Sequence, residues 1–430
     1  MKKVCGCWRV ALTALLGPFC LAVGMAASMD DLPPLRPGTY DWPWWRGATR
    51  DNKSLETGLP PSWTPTRSIA WKVAMPGRGH ASPVIWGERV FVATADEALQ
   101  AQQVICFEKR SGKRVWATEV QRGGWLKKHD KNSQASATPA CDGERVFFAS
   151  LFDGALWVTA LDAVDGSRLW QKRVGTFVPS NGYGSSPVCY KSAVIVLSDN
   201  VGEACMIALH RKTGETLWKV DRPKLDNFCT PVLGLTGGRQ QVLVCGSRMI
   251  AGHDPDTGLR RWWVESPTEV TACTMAFSEG LAVGGGNVPV REFLCVATDG
   301  VGDVTRTHLR WSSRKNVTYV PSPLIDDGLL YFVNDSGIAH CLELTTGDEV
   351  WKERLEGTFS SSPLLVQEKL FLTNEAGRTF VLKRGRRFEC VGTNDLAEPM
   401  LASMAVSERR FYARTAEHLW CIGAAFSEGR

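Results

Sequence analysis

The sequence predicts an all-β protein built as a single eight-bladed β-propeller of four-stranded antiparallel blades. Three observations predict this fold. A unit of about 40 to 55 residues recurs along the chain, which is typical of repeat architectures. Tryptophan and glycine recur within the unit at a fixed spacing. An incomplete unit stands at each end of the repeat, and the two parts complement each other.

The best-preserved feature of the unit is a tryptophan that follows a glycine by four residues. The glycine supplies the positive φ of a hairpin between the third and fourth strands. The tryptophan then lies on the outer strand, where its ring can pack between neighbouring sheets. A small residue ten positions earlier leaves room for the ring: Cys106, Ala160, Ala208, Gly252 and Cys341. We therefore predict a structural docking role for Trp116, Trp170, Trp218, Trp262 and Trp351.

Each unit opens with Ser/Thr-Pro, an apolar strand, a turn and a second strand. Six openings are intact: Ser82-Pro83, Thr138-Pro139, Ser186-Pro187, Thr230-Pro231, Ser322-Pro323 and Ser362-Pro363. The long interval between Thr230 and Ser322 contains a degenerate unit that opens near Thr274 and closes at Trp311. The seventh unit is degenerate too, with Phe388 in the tryptophan position.

The last unit ends after three strands, at His418–Cys421. The missing fourth strand is found before the first unit, as Ile69–Val73 with Trp71. Pairing these segments completes an eighth blade and closes the ring, which hides the sheet edges that would otherwise promote aggregation. The predicted propeller spans residues 68–424, followed by a C-terminal tail at 425–430.

The N-terminal segment has the order of a secretory signal peptide. Lys2, Lys3 and Arg9 precede an uncharged apolar run, and small residues at 26–28 follow it. We predict a signal peptide at residues 1–28, a Trp/Pro-rich leader at 29–67, and a periplasmic or secreted protein without an integral membrane span in the mature chain. An uncleaved anchor is the alternative interpretation.

Composition excludes several classes of protein and partner. Hydrophobic residues make up 44% and charged residues 22%, which excludes a disordered chain. A net charge of +5 gives no indication of a nucleic-acid partner. Eleven cysteines follow the predicted signal peptide, mostly in apolar runs typical of the core, and one or two disulfides stay open as alternatives. No CxxC pair occurs, so a structural zinc site has little support, and the absence of CxxCH leaves covalent haem attachment with as little.

The repeat resembles a known family. The segment from Ala208 to Trp218, ALHRKTGETLW, is similar to the tryptophan-docking motif of pyrroloquinoline-quinone (PQQ)-like propellers, as are 160–170 and 341–351. The leader segment 41–47, DWPWWRG, resembles that of secreted bacterial members. The family includes quinoprotein dehydrogenases and a non-catalytic scaffold lipoprotein of outer-membrane protein assembly. The dehydrogenases typically hold PQQ over two adjacent cysteines, which this sequence lacks. The resemblance therefore favours a non-catalytic member without cofactor, although PQQ with Ca²⁺ stays open because other quinoproteins lack that pair.

Topology predicts where a binding site lies. If the first strand of each blade lines the axis, the connections between blades and the loops between second and third strands share one face. We predict ligand or partner binding there by Arg78, His80, Lys131, Asn132, Tyr183, Asp226, Asn227 and Tyr319. Asp and Asn in the loops between second and third strands, including Asp199 and Asp335, are interpreted as ordinary turn residues. The longest connection, residues 123–130, is either a lid or a solvated loop. No catalytic or metal-ligating set is predicted.

Three functions are compatible with this sequence. The favoured one is a binding or scaffold protein that meets an unknown protein or a small polar ligand at the channel mouth. The second is a PQQ/Ca²⁺-dependent alcohol or sugar dehydrogenase, for which the available residues are Asp226, Asn227, Asp199, Asn200, Lys131 and Arg78. The third is a glycan binder with stacking walls at Tyr183, Tyr319 and Phe359.

Overall fold

A computed structural model describes residue 1, residues 27–278 and residues 280–426. Most of the predicted signal peptide, residues 2–26, lies outside the described residues, as does the end of the predicted tail. The described ranges contain strands and loops and no helix, so none that could cross a bilayer.

Eight sheets of four antiparallel strands form the eight predicted blades. Two short strands precede them, β1 (Lys53–Ser54) and β2 (Ile69–Ala74). Blade 1 contains β3 (Val84–Trp86), β4 (Arg89–Asp96), β5 (Ala101–Glu108) and β6 (Arg114–Arg122). Blade 2 contains β7 (Ala140–Cys141), β8 (Arg145–Phe152), β9 (Ala155–Asp162) and β10 (Arg168–Thr176). Blade 3 contains β11 (Val188–Tyr190), β12 (Ala193–Ser198), β13 (Cys205–His210) and β14 (Thr216–Asp221).

The fourth and fifth blades carry additional short strands. Blade 4 contains β15 (Val232–Thr236), β16 (Arg239–Gly246), β17 (Met249–His253) and β18 (Arg260–Glu265). After β19 (Thr268–Val270), blade 5 contains β20 (Ala276–Ser278), β21 (Leu281–Gly286), β23 (Glu292–Ala297) and β25 (Leu309–Ser313), with β22 (Val288–Pro289) and β24 (Gly302–Asp303) in its loops. β19 pairs with β22, and β24 pairs in parallel with β18.

The last three blades complete the ring. Blade 6 contains β26 (Leu324–Asp326), β27 (Leu329–Val333), β28 (Ile338–Glu343) and β29 (Glu349–Arg354). Blade 7 contains β30 (Leu364–Val366), β31 (Lys369–Thr373), β32 (Arg378–Lys383) and β33 (Cys390–Asp395). Blade 8 contains β34 (Ala405–Ser407), β35 (Arg410–Arg414), β36 (His418–Ile422) and the N-terminal strand β2.

The ring closes as predicted. β2 pairs antiparallel with β36, with Trp71 opposite Cys421 and Val73 opposite Leu419. Blade 8 is thereby assembled from both ends of the repeat, and its outer edge is supplied by a strand more than 300 residues away in the chain.

A belt of hydroxyl groups joins the blades around the axis. In seven of the eight steps, the backbone N–H of the Ser or Thr that opens one blade donates to the side-chain oxygen of the equivalent residue in the next, at 2.9–3.1 Å. The belt residues are Ser82, Thr138, Ser186, Thr230, Thr274, Ser322, Ser362 and Ser403. The proline after most of them has no N–H of its own, so it needs no acceptor at the crowded axis. The Ser/Thr-Pro openings thus hold adjacent blades together.

At the rim, tryptophan rings pack against the glycine turns of the following blade. A Cβ atom added at Gly166 would lie 2.6 Å from the Trp116 ring, and one at Gly214 would lie 2.8 Å from the Trp170 ring. The indole N–H groups of Trp116, Trp170 and Trp218 each donate to a backbone carbonyl three residues before the glycine, as Trp170 does to Arg211 at 3.0 Å. Trp71 makes the same contact with Gly112, and Trp311 makes it with Gly347. Trp351 differs: its N–H donates to the carbonyl of Gly385 at 2.9 Å, and its ring packs against Phe388 of blade 7.

Trp262, predicted to share this role, has different contacts. Its ring is fully buried, and its N–H donates to Oε1 of Gln241 in its own blade at 2.7 Å. Blade 5 carries Thr307 where the docking glycine would stand, and β24 lies along Trp262 instead. The degenerate fifth blade thus covers its neighbour with backbone rather than with a glycine turn.

The cysteines are packing residues. All eleven among the described residues are free thiols, and only Cys390 is exposed. Cys106, Cys295, Cys341 and Cys421 each lie directly opposite a rim tryptophan across the third and fourth strands. The small thiol leaves space for the ring, as predicted, and no disulfide is formed among them.

The docking contact can be separated from the cost of positive φ by two glycine substitutions. Gly214 has φ +75° and contacts Trp170, whereas Gly154 has φ +68° and open space around its Cβ position. We expect Gly154→Ala to cost about 1 to 2 kcal/mol through backbone strain alone. Gly214→Ala should cost about 1 to 3 kcal/mol more, because the added methyl overlaps the indole. Urea unfolding measures both, and equal losses would show that the contact contributes no stability.

Candidate functional site

The leader crosses one face of the propeller and closes one end of its central channel. Trp42 exchanges two backbone hydrogen bonds with Ile85 of blade 1, both at 2.9 Å. Arg46 donates to the carbonyls of Met275 at 3.2 Å and Pro323 at 2.6 Å, and β1 pairs with β30 of blade 7. Burial lowers the pKa of Arg46 to about 10, so its guanidinium stays charged at neutral pH. Backbone carbonyl dipoles therefore solvate a buried cation beneath the axis.

Trp45 lies where the belt of hydroxyl groups is interrupted. The step from Thr230 to Thr274 lacks the bond that joins the other blades within the described residues. Instead, the Trp45 indole N–H donates to Oγ1 of Thr274 at 2.9 Å. The indole is half-buried and contributes to the wall of the channel. The leader thus provides a floor and makes the channel a pocket that opens on the opposite face.

The pocket has a volume of about 510 Å³, within the range of about 300–1,000 Å³ usual for small-molecule sites. Seven of the eight belt residues line its deep part, all except Ser82. Phe228 and Tyr319 add aromatic surface to the wall. Polar residues stand around these: His80, His129, Lys131, Asn132, Ser136, Asn181, Asp335, Ser360 and Glu375.

The pocket opens on the predicted face. Connections between blades contact loops between second and third strands there, as in the two hydrogen bonds between Arg78 and Ala95 and the one from Glu375 to Thr358. Among the predicted binding residues, the structure places His80, Lys131, Asn132 and Tyr319 on the pocket wall.

The other predicted binding residues lie outside the pocket wall. Tyr183 is buried, and its hydroxyl donates to the carbonyl of Leu197 at 2.9 Å. Asn227 is buried, and its amide donates to Asp199 and to the carbonyl of Cys245. Position before a Ser/Thr-Pro opening does not distinguish a side chain that faces the axis from one that turns into the core.

Three further predicted positions also stand apart from the wall. Arg78 donates to the carbonyl of Asp130 at 2.6 Å and so contacts the long connection of residues 123–130. Asp226 is half-exposed and lies near Tyr319. Phe359, predicted as a stacking wall for glycans, is buried against Phe380.

One ion pair spans the mouth between distant blades. Lys131, in the connection from blade 1 to blade 2, lies with its Nζ 2.9 Å from Oε2 of Glu375 in blade 7. Ser360 and Thr358 also donate to this carboxylate, at 2.7 and 2.9 Å. Burial opposes ionisation of Glu375, but these hydrogen bonds and Lys131 outweigh it and lower its pKa. Both charges at the mouth are therefore satisfied within the protein.

Two other polar side chains of the wall are neutral at physiological pH. Burial, assisted by the charges of Arg78, Arg414 and Lys128, lowers the pKa of His80 to about 3. Burial and nearby Asp335 raise the pKa of Tyr319 to about 12. Neither side chain is poised to exchange a proton near pH 7, so these two groups offer hydrogen bonds rather than acid–base catalysis.

Several wall residues were missed from the sequence or interpreted as turn residues. The Ser/Thr-Pro repeat locates every intact belt hydroxyl, but its phase alone does not show that the oxygens face the channel. Asp335 and Glu375 occupy turns, and the contact of Glu375 with Lys131 depends on the closed ring. Trp45 stands in the leader motif DWPWWRG, whose path cannot be read from the repeat.

The described residues contain one group that could hold a metal ion, Glu398, Glu417 and His418, away from the pocket. Oε1 of Glu398 already accepts hydrogen bonds from Thr415 and from the backbone N–H groups of Glu417 and His418, and Oε2 lies 2.8 Å from Nδ1 of His418. This carboxylate is therefore used to join blades 7 and 8.

The ion pair at the mouth should make stability depend on pH. Because the folded state lowers the pKa of Glu375 below its usual value of 4.5, the stabilisation is present above that pH and is lost as pH falls below it. We expect wild type to exceed Glu375→Gln in unfolding free energy at pH 7, and the difference to shrink below pH 4.5. Urea titrations from pH 7 to 3 measure it. Glu353→Gln, on an exposed outer strand, is the control, and a pH-independent difference for Glu375 would contradict the assignment.

Comparisons with known proteins agree with this architecture. The family model described as outer membrane protein assembly factor BamB matches residues 63–119, 100–353 and 309–387. BamB of Yersinia pestis is 21% identical over 310 residues, covering 71% of this chain and 63% of that protein, which is less than two thirds of the relative's length.

Solved structures share the fold at low identity. BamB from Moraxella catarrhalis has a TM-score of 0.58 at 13% identity, covering 82% of this chain and 96% of its own. Quinohemoprotein alcohol dehydrogenase from Comamonas testosteroni has a TM-score of 0.66 at 12% identity, covering 91% and 82%. The matched repeats span most of the propeller, and the chain belongs to the BamB-type family of PQQ-like β-propeller repeat proteins.

Proposed function

We propose that this protein is an extracytoplasmic β-propeller that binds a protein partner or a small polar ligand at the open mouth of its channel. The observation that carries the proposal is the asymmetry of the channel. The protein's own leader occupies one end, with Trp45 as the floor, and the other end opens through a wall of hydroxyl, amide and aromatic groups. A pocket with a single opening presents one face for recognition.

The chemistry of the wall favours binding over catalysis. Lys131 and Glu375 neutralise each other. The pKa values of His80 and Tyr319 lie far from 7, so both side chains stay neutral at physiological pH. An enzyme site usually keeps a titratable group free and near the working pH. These four side chains instead offer fixed donors and acceptors on a rigid ring.

The alternative, a PQQ/Ca²⁺-dependent dehydrogenase, requires a calcium site with six to eight oxygen ligands. The residues available for it do not fit. Both carboxylate oxygens of Asp199 accept hydrogen bonds from Arg222, at 2.6 and 2.9 Å, and one of them also accepts from Asn227. Lys131, a candidate cationic residue for contact with the quinone, is paired with Glu375. The low-identity likeness to quinohemoprotein alcohol dehydrogenase supports the fold and not this activity.

The name of the family indicates a partner class and a location. The relatives are outer membrane protein assembly factors, which favours a protein partner and a position outside the cytoplasm. The predicted signal peptide at residues 1–28 agrees with that location. Nothing in the charge of the chain favours nucleic acid.

The face of the propeller that meets a partner can be tested by site-specific photocrosslinking. A photoreactive residue at Asn181, exposed at the mouth, is compared with one at Lys113, exposed in a glycine turn on the opposite face. We expect discrete adducts in extracts of the producing cells from Asn181 and not from Lys113, weakened by Lys131→Ala. Adducts confined to Lys113 would assign the functional surface to the other face.

Cofactor binding is tested separately. Addition of PQQ and Ca²⁺ to the purified protein should produce neither a quinone absorbance band that survives gel filtration nor dye-linked oxidation of alcohols or sugars, because three of the candidate ligands, Asp199, Asn200 and Asn227, are already engaged. A retained quinone spectrum would favour the dehydrogenase.

A further inference from the structure

The pocket combines three features that together define a class of ligand: charged groups that already have partners within the protein, hydroxyl groups with unused hydrogen-bonding capacity, and aromatic surfaces. We propose that it binds the terminal unit of a neutral carbohydrate. The proposal deepens the binding role given above and rests on it.

The first feature is that Lys131 and the carboxylates of the described wall already have hydrogen-bonding partners within the protein. Lys131 is engaged by Glu375, which also accepts from Ser360 and Thr358. The carboxylate oxygens of Asp335 accept the backbone N–H groups of Tyr319 and Val320, at 2.9 and 3.1 Å. An anion entering this pocket would have to compete with Glu375 for Lys131, and a cation would meet carboxylates that already accept internal hydrogen bonds, so the loss of hydration of either ion would be poorly offset. The wall therefore favours neutral polar molecules over ions.

The second feature is the row of belt hydroxyls in the deep part of the pocket. A Ser or Thr hydroxyl has one proton to donate and two lone pairs to accept with. Six of the belt oxygens that line the pocket each accept one backbone N–H, and Thr274 accepts the Trp45 indole instead. Within the described residues, none of these hydroxyls donates its proton to a protein acceptor. Each can therefore donate one bond and accept another, which is the pairing that a sugar hydroxyl offers in return.

The third feature is aromatic surface beside the hydroxyls. Trp45, Phe228 and Tyr319 are all partly exposed and all line the pocket. A pyranose ring has a face of C–H groups, which carry slight positive charge and pack on the negative face of an aromatic ring. The cavity thus offers hydroxyl groups to the polar edge of a sugar and aromatic rings to its apolar face. Its volume of about 510 Å³ accommodates one sugar ring, with room for a second at the mouth.

Binding is tested on the full chain, expressed with its own N-terminal segment. The probes are methyl glycosides of glucose, galactose, mannose and N-acetylglucosamine, the disaccharides cellobiose, maltose and lactose, and the charged counterparts glucuronate and glucosamine. Tryptophan fluorescence and calorimetry report binding, since Trp45 forms the floor. We expect at least one neutral saccharide to saturate with Kd below about 10 mM and to bind at least about ten-fold tighter than its charged counterparts.

Matched variants locate the site. Tyr319→Ala should weaken binding at least about ten-fold, and Tyr319→Phe should retain most of it because the stacking face remains. Tyr190→Ala is the control, since Tyr190 is a partly exposed tyrosine of blade 3 that lies outside the pocket. Thermal unfolding of each variant separates loss of fold from loss of ligand, and Tyr319→Phe keeps the test valid if the alanine variant unfolds.

Three results would overturn the proposal. They are no saturation by any neutral saccharide of the panel, equal or tighter binding of a charged counterpart, and saccharide binding that Tyr319→Ala leaves unchanged. If saccharides fail while crosslinks remain specific to Asn181, the binding face stands and only the ligand class falls. If neither saccharide binding nor specific crosslinks at Asn181 are observed, the proposed function is contradicted as well.

Discussion

The architecture depends on the contact that joins one blade to the next at the axis. A backbone N–H of one blade donates to a Ser or Thr oxygen of the following blade, and the contact repeats around the ring. Each bond satisfies a donor that would otherwise be buried unpaired beside the channel. Because the oxygen accepts and the proton stays free, the same residues that hold the ring together leave hydroxyl groups available to the pocket. Structural repetition and binding chemistry therefore share one set of side chains.

The single break in this belt is used by the leader. Between blades 4 and 5 the bond is replaced by the contact from Trp45 to Thr274, and Arg46 beneath it binds carbonyls of blades 5 and 6. Blade 5 is also one of the two blades in which the tryptophan and glycine pattern fails, and there β24 covers Trp262. An irregular blade thus lies at the step where the leader replaces a belt contact. The ring loses symmetry there, and the channel gains a floor.

Charge compensation then decides what the pocket can do. The ion pair of Lys131 and Glu375 joins the connection that precedes blade 2 to blade 7 across the mouth. Away from the axis, Arg222 neutralises Asp199. A fold shared with dehydrogenases consequently presents a wall on which Lys131 and Glu375 are paired with each other. The fold alone does not decide between binding and catalysis, because function depends on the particular side chains at the mouth.

The sequence by itself determined the number of blades, the closing strand at 69–73 and the glycine turns, because each depends on local spacing that recurs along the chain. It also located four wall residues, His80, Lys131, Asn132 and Tyr319. Only the tertiary structure decided that Tyr183 and Asn227 turn into the core, since adjacent residues in a connection can face opposite ways. The path of the leader and the position of Trp45 likewise depend on ring closure. So does the ion pair of Lys131 with Glu375, because these residues are 244 positions apart and no local pattern relates them.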